Sequence, residues 1–61
     1  MPMTAKQMIK FLKQNGFIEI SQNGSHVKLK NNDNITVIVP NHAKDLKKGT
    51  EQQILKQAGL K

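Results

Sequence analysis

Sixty-one residues make one small domain over positions 1–61, with no room for a second. Ten lysines, no arginine and four acids give a formal net charge of +6 and a pI near 10.0, a balance suited to nucleic acid, an anionic membrane surface or an acidic protein. The absence of cysteine excludes disulfides and thiolate metal sites, no apolar run approaches the roughly 20 residues of a membrane helix, and nothing reads as a signal peptide, so the expectation is a soluble, cytoplasmic chain.

The first element is a helix. Thr4 and Gln7 match a capping box, in which each side chain satisfies an orphan backbone N–H. Ala5, Met8, Ile9 and Leu12 follow at i, i+3, i+4 and i+7, one helical stripe, with Phe11 on its flank. Lys6, Lys10 and Lys13 share the side away from that stripe. Asn15-Gly16 ends the helix, because glycine takes the left-handed C′ position without a Cβ penalty. The predicted span is about residues 4–14.

Phe17 to Ser21 is rich in β-formers and reads as the first strand. Asn23-Gly24 predicts a two-residue hairpin turn, since a type I′ turn needs φ > 0 at both central positions. That turn sets Ile20 against Val27, Ile18 against Leu29, Glu19 against Lys28 and Ser21 against His26. Apolar then meets apolar on one face and acid meets base on the other, an agreement that a one-residue slip would destroy. The second strand contains His26-Val27-Lys28-Leu29-Lys30. Period two turns Val27 and Leu29 to the core and His26, Lys28 and Lys30 to the open face. Asn31-Asn32-Asp33-Asn34 forms a turn, and Ile35 to Val39 is the third strand. A three-residue loop at Asn32 to Asn34 sets Leu29 against Val37 and Val27 against Val39. The expected core face is Ile18, Ile20, Val27, Leu29, Ile35, Val37 and Val39. Pro40 stops the ladder because it lacks a donor.

Asn41 to Gly49 is a polar connection anchored by Leu46. Thr50 and Gln53 repeat the capping box, and Glu51 lies where the helix dipole favours an anion. Ile54, Leu55 and Ala58 form the second stripe, Gly59 stops the helix and Leu60 folds back on it. This helix is expected at about residues 50–58. The order is α-β-β-β-α: an α+β domain with a three-stranded antiparallel sheet, two helices on one face and the other face open to water.

His26 is the leading candidate for chemistry. An imidazole trades protons near neutral pH, so it can take the proton of a ribose 2′-OH and let that oxygen attack the adjacent phosphodiester. Lys28 and Lys30 beside it can hold a phosphate and offset developing charge; the bland alternative is an ordinary solvated strand. His42 follows Pro40 in a loop, either as the second half of an acid–base couple or as a turn residue without a role. His26, His42, Asp33 and Asp45 have no metal-ligand spacing, so no cofactor is expected. Lys6, Lys10 and Lys13 can track a phosphate backbone or simply solvate their helix. Lys44, Lys47 and Lys48 precede a helix N-terminus, whose free N–H groups favour anions. Phe11 and Phe17 are the only aromatics and neither falls in the second or third strand. RNA contacts would therefore work by charge and shape, with little base stacking.

At Gly24-Ser25-His26 the chain resembles the HicA family of prokaryotic toxins, over nearly its whole length. The matching features are a lysine-bearing first helix closed by Asn15-Gly16-Phe17, then Gln22-Asn23-Gly24-Ser25-His26, Pro40-Asn41-His42, Gly49-Thr50 opening the last helix, and Ala58-Gly59-Leu60. The resemblance implies a double-stranded-RNA-binding-like fold and an mRNA interferase that cleaves mRNA, inhibits translation and arrests growth. It implies neutralisation by a HicB-type antitoxin presenting acidic surface over the open sheet face. It assigns the essential histidine to His26, with Gly24 and Ser25 setting the turn that aims it, and matches a further histidine to His42. RNA contacts then fall to Gly24, Ser25, Lys28, Lys30, Lys6 and Lys10. Many relatives carry a basic residue immediately before the glutamine, and here that place is Ser21. The expected function is a metal-independent endoribonuclease toxin. The rival readings are a non-catalytic double-stranded-RNA-binding module and a basic protein that docks an acidic partner.

Overall fold

The computed structural model describes residues 3–41 and 45–60. The elements are α1 (Ala5–Gln14), β1 (Ile18–Asn23), β2 (His26–Lys30), β3 (Thr36–Pro40) and α2 (Lys48–Gln57). The strands form one antiparallel sheet in the order β1-β2-β3, so β2 is central as expected. Both helices pack on one face, giving the predicted α+β architecture.

α1 is capped as its sequence dictates. The Gln7 N–H donates to Thr4 Oγ1 at 3.1 Å and the Thr4 N–H donates to Gln7 Oε1 at 2.9 Å. At the other end Gly16 takes φ +90, its N–H donates to the Lys13 carbonyl, and the Phe17 N–H donates to the Leu12 carbonyl. This Schellman closure delivers Phe17 into the core. The closure of α2 repeats it, with Gly59 at φ +74 and the Leu60 N–H donating to the Leu55 carbonyl. Met8, Leu12 and Phe17 pack with Val27, Leu29, Val37, Val39, Leu46, Ile54 and Ala58.

The start of α2 departs from expectation. The helix begins at Lys48, with Lys47 at the N-cap and no side-chain cap. Thr50 and Gln53 therefore lie inside the helix and form no capping box. Tertiary ties replace the cap: Glu51 Oε2 accepts from the Met3 N–H at 3.0 Å, and the Leu46 N–H donates to the Met3 carbonyl at 2.9 Å. An antiparallel bridge between Thr4 and Asp45 completes this join of the two helix starts.

The second hairpin follows its prediction. Leu29 pairs with Val37 and Val27 with Val39. Asn31 Oδ1 accepts from the backbone N–H groups of Asp33 and Ile35, and Asn34 adopts φ +63, a conformation asparagine tolerates.

The first hairpin does not. Its pairs are Asn23 with His26, Gln22 with Val27, Ser21 with Lys28, Glu19 with Leu29 and Ile18 with Lys30. The central turn residues are Gly24 and Ser25, not Asn23 and Gly24. Gly24 has φ +61, while Ser25 does not take positive φ. That is the type II′ pattern, in which glycine is needed only at the first central position. The turn slides one residue along the chain, which shifts the pairing by two and keeps Ser21 on the open face; it is the bulge that turns Ile18 and Glu19 over. Ile20 becomes the extra residue of a bulge between Glu19 and Ser21.

Ile18 and Ile20 are consequently exposed, at 66% and 46%, and neither belongs to the core. Ile35 is only partly buried against it. The predicted strand at 17–21 gives way to Ile18–Asn23, an edge strand with every residue exposed. Phe17, just before β1, supplies the apolar contribution that the two isoleucines were expected to make. Leu29 is fully buried on the central strand. Leu29→Ala should cost about 2–5 kcal/mol, most of the stability a core of this size provides. Denaturant unfolding read by circular dichroism checks this.

Candidate functional site

His26 opens β2 directly after the Gly24-Ser25 turn. The turn is held from two sides. The Asn41 N–H donates to the Ser25 carbonyl, and Gln22 Nε2 donates to the Gly24 carbonyl at 3.3 Å. His26 pairs with Asn23 on one side and with Pro40 on the other. Its backbone is thus fixed within the ladder while its side chain lies exposed on the face away from the helices.

Directly paired residues share a face, so the register defines the open surface. β2 contributes His26, Lys28 and Lys30; β1 contributes Asn23, Ser21 and Ile18; β3 contributes Pro40, Ile38 and Thr36. Alternate residues on a strand lie about 6.5–7 Å apart, so the imidazole and two ammonium groups form a regular cationic row. Ser21, Asn23, His26, Lys28 and Ile38 line an open hollow of about 390 Å³.

The bulge changes the electrostatics. Glu19 was expected beside Lys28, where it would have neutralised it. It instead pairs with Leu29 and reaches Lys13 Nζ on α1 at 3.9 Å. Both ends of that ion pair are exposed, so it contributes little to stability. Its consequence for the site is larger: none of the nine residues on the open face is acidic.

The structure brings Gly24, Ser25, His26, Lys28 and Lys30 together. Lys6 and Lys10 are exposed on α1, in the layer opposite His26. Lys47 and Lys48 are exposed at the start of α2. His42 and Lys44 lie outside the described residues. Asn23 and Ile38 were not singled out from the sequence. The signal for Ile38 was present, because the loop arithmetic that sets Leu29 against Val37 also sets Lys28 against Ile38. Asn23 was hidden by its assignment to the turn. Among the described residues, no three of His, Asp and Glu come together as a metal-ligand group. No helix among them is long and apolar enough to cross a membrane.

The order of elements, the open antiparallel sheet and the cationic row define a small basic domain of the double-stranded-RNA-binding-like type. A family model described as the HicA toxin of bacterial toxin–antitoxin systems matches residues 5–60, almost the whole chain. The chain belongs to the HicA toxin family. Membership implies pairing with a HicB antitoxin. No match is found among curated proteins.

Proposed function

We propose that this toxin is a metal-independent endoribonuclease acting on mRNA, with His26 as its proton-transfer residue. The observation that carries this reading is the placement of His26: exposed on the central strand, in a hollow with Lys28, on a face without acids. In the reaction the 2′-OH gives its proton to the imidazole of His26. The 2′-oxygen attacks phosphorus, the bond to the 5′-oxygen breaks, and that oxygen takes up a proton. A lysine, water or His42 can supply it. The products are a 2′,3′-cyclic phosphate and a 5′-hydroxyl. Lys28 and Lys30 hold the scissile region and offset charge as it develops on phosphate.

Gly24 and Ser25 act through the backbone, by setting where β2 begins. Lys6 and Lys10 reach only RNA that passes around the sheet edge to the helical layer, so they add to affinity. The HicB antitoxin would place acidic groups over the cationic row, because covering His26 blocks both binding and proton transfer.

Labelled RNA incubated with purified protein tests the reading: fragments are expected, and intact RNA retarded in a gel would favour a non-catalytic RNA-binding module. Negligible RNA affinity with tight binding of the antitoxin would favour a protein that docks an acidic partner. Cleavage should survive EDTA undiminished, since proton transfer by an imidazole needs no bound cation. Loss of cleavage on chelation, restored by a divalent metal, would contradict this.

A further inference from the structure

We infer that the hollow beside His26 seats one nucleobase flanking the scissile phosphate, and that Asn23 reads its edge. The inference rests on the ribonuclease reading and gives it a substrate preference.

The register builds the hollow from two adjacent rungs. One rung is Asn23 beside His26; the next is Ser21, Lys28 and Ile38 side by side. A volume of about 390 Å³ lies within the roughly 300–1,000 Å³ of small-ligand sites, and suits a single nucleotide unit. The chemistry around it is divided as a nucleotide is divided. Lys28 supplies a cation for phosphate. Ile38, half exposed at 50%, supplies an apolar surface for a ring face. Asn23 and Ser21, both exposed, supply an amide and a hydroxyl. With no aromatic side chain lining the hollow, the base is held by its edge and by Ile38, without ring stacking.

An asparagine amide presents a donor and an acceptor together, and its best-matched partner is adenine. Asn23 stands directly across from His26, so a base on this amide lies next to the phosphate within reach of the imidazole. Adenine should therefore be enriched at one fixed position beside the cut. Asn23 also lies at an exposed strand end, where substitution spares the core.

The test uses a pool of RNA with randomised sequence and purified wild-type, Asn23→Ala and Ile38→Ala toxins, with cleavage ends read by sequencing. Wild type should prefer adenine at one position next to the cut. Asn23→Ala should reduce that preference roughly tenfold, as loss of a two-point base contact does. Ile38→Ala should slow cleavage at all sequences, because it removes the surface under the ring. Cleavage by Asn23→Ala with the wild-type preference intact would overturn the base seat and leave the ribonuclease reading standing. The same holds if Asn23→Ala weakens only the antitoxin complex, which would make the hollow a protein anchor. Intact RNA with the wild-type toxin would overturn both.

Discussion

An RNA oligonucleotide carrying a single 2′-deoxyribose at its cut site is expected to resist cleavage there completely, while its other sites are cut as before. The reason is chemical. If the attacking oxygen is the neighbouring 2′-OH, removing that one atom removes the nucleophile, and no amount of electrostatic stabilisation by Lys28 or Lys30 can replace it. Binding should be little affected, because the phosphates that engage the cationic row remain. The same route requires the cut fragment to end in a cyclic phosphate, or in the 2′- or 3′-phosphate formed when that ring opens. Mass spectrometry of the fragments reads this directly. Cleavage at the deoxy position would mean that water or another nucleophile attacks instead, and His26 would need a different role.

The second large effect is expected from His26→Ala. Positioned proton transfer contributes typically about 10²–10⁴ in rate, so cleavage by the variant should fall by that factor. The fold should survive, because His26 is exposed and the core beneath it is made by Val27, Leu29, Val37 and Val39. RNA affinity should survive as well, because the lysines are untouched. The variant therefore separates chemistry from binding. A retardation gel would show wild-type affinity and a cleavage assay would show intact RNA. Equal cleavage by purified wild type and His26→Ala would remove this imidazole from the mechanism.

Local rules carried much of the fold. The capping box at Thr4 and Gln7, the glycine closures after both helices, and the asparagine-rich loop before β3 each depend on neighbours a few residues away, and each formed as the sequence implied. The first hairpin failed because two signals competed. Asn23-Gly24 favours a type I′ turn, but Gly24-Ser25 satisfies a type II′ turn equally well. Facing residues favour the first, which pairs Ile18 and Ile20 with Leu29 and Val27. What the sequence could not show is that Phe17, turned inward by the closure of α1, takes over the apolar role of this segment. β1 was then free to slip, and a bulge at Ile20 turned Ile18 and Glu19 to the opposite faces. The start of α2 differs from its local signal for a similar reason: Glu51 and Leu46 engage Met3 across the fold, so no local cap is needed.

For the site, alternation along β2 sufficed to expose His26, Lys28 and Lys30, because Val27 and Leu29 are inside in either register. The surroundings of that row were another matter. They depend on β1: the slip brought Ser21 beside Lys28 and Asn23 beside His26, and the bulge took Glu19 off this face. The face is thereby more cationic than the sequence implied, which strengthens the case for a polyanionic substrate.

The central claim is that RNA is engaged on the open sheet face around His26. Titrating isotope-labelled toxin with an RNA blocked by 2′-deoxyribose at its cut site, and following backbone amides by nuclear magnetic resonance, tests it most directly. The predicted result is a set of shifts concentrated in residues 21–30 and 36–41, with the exposed side of α1 moving little. Shifts confined to α1 around Lys6 and Lys10, with the amides of β2 unmoved, would contradict it.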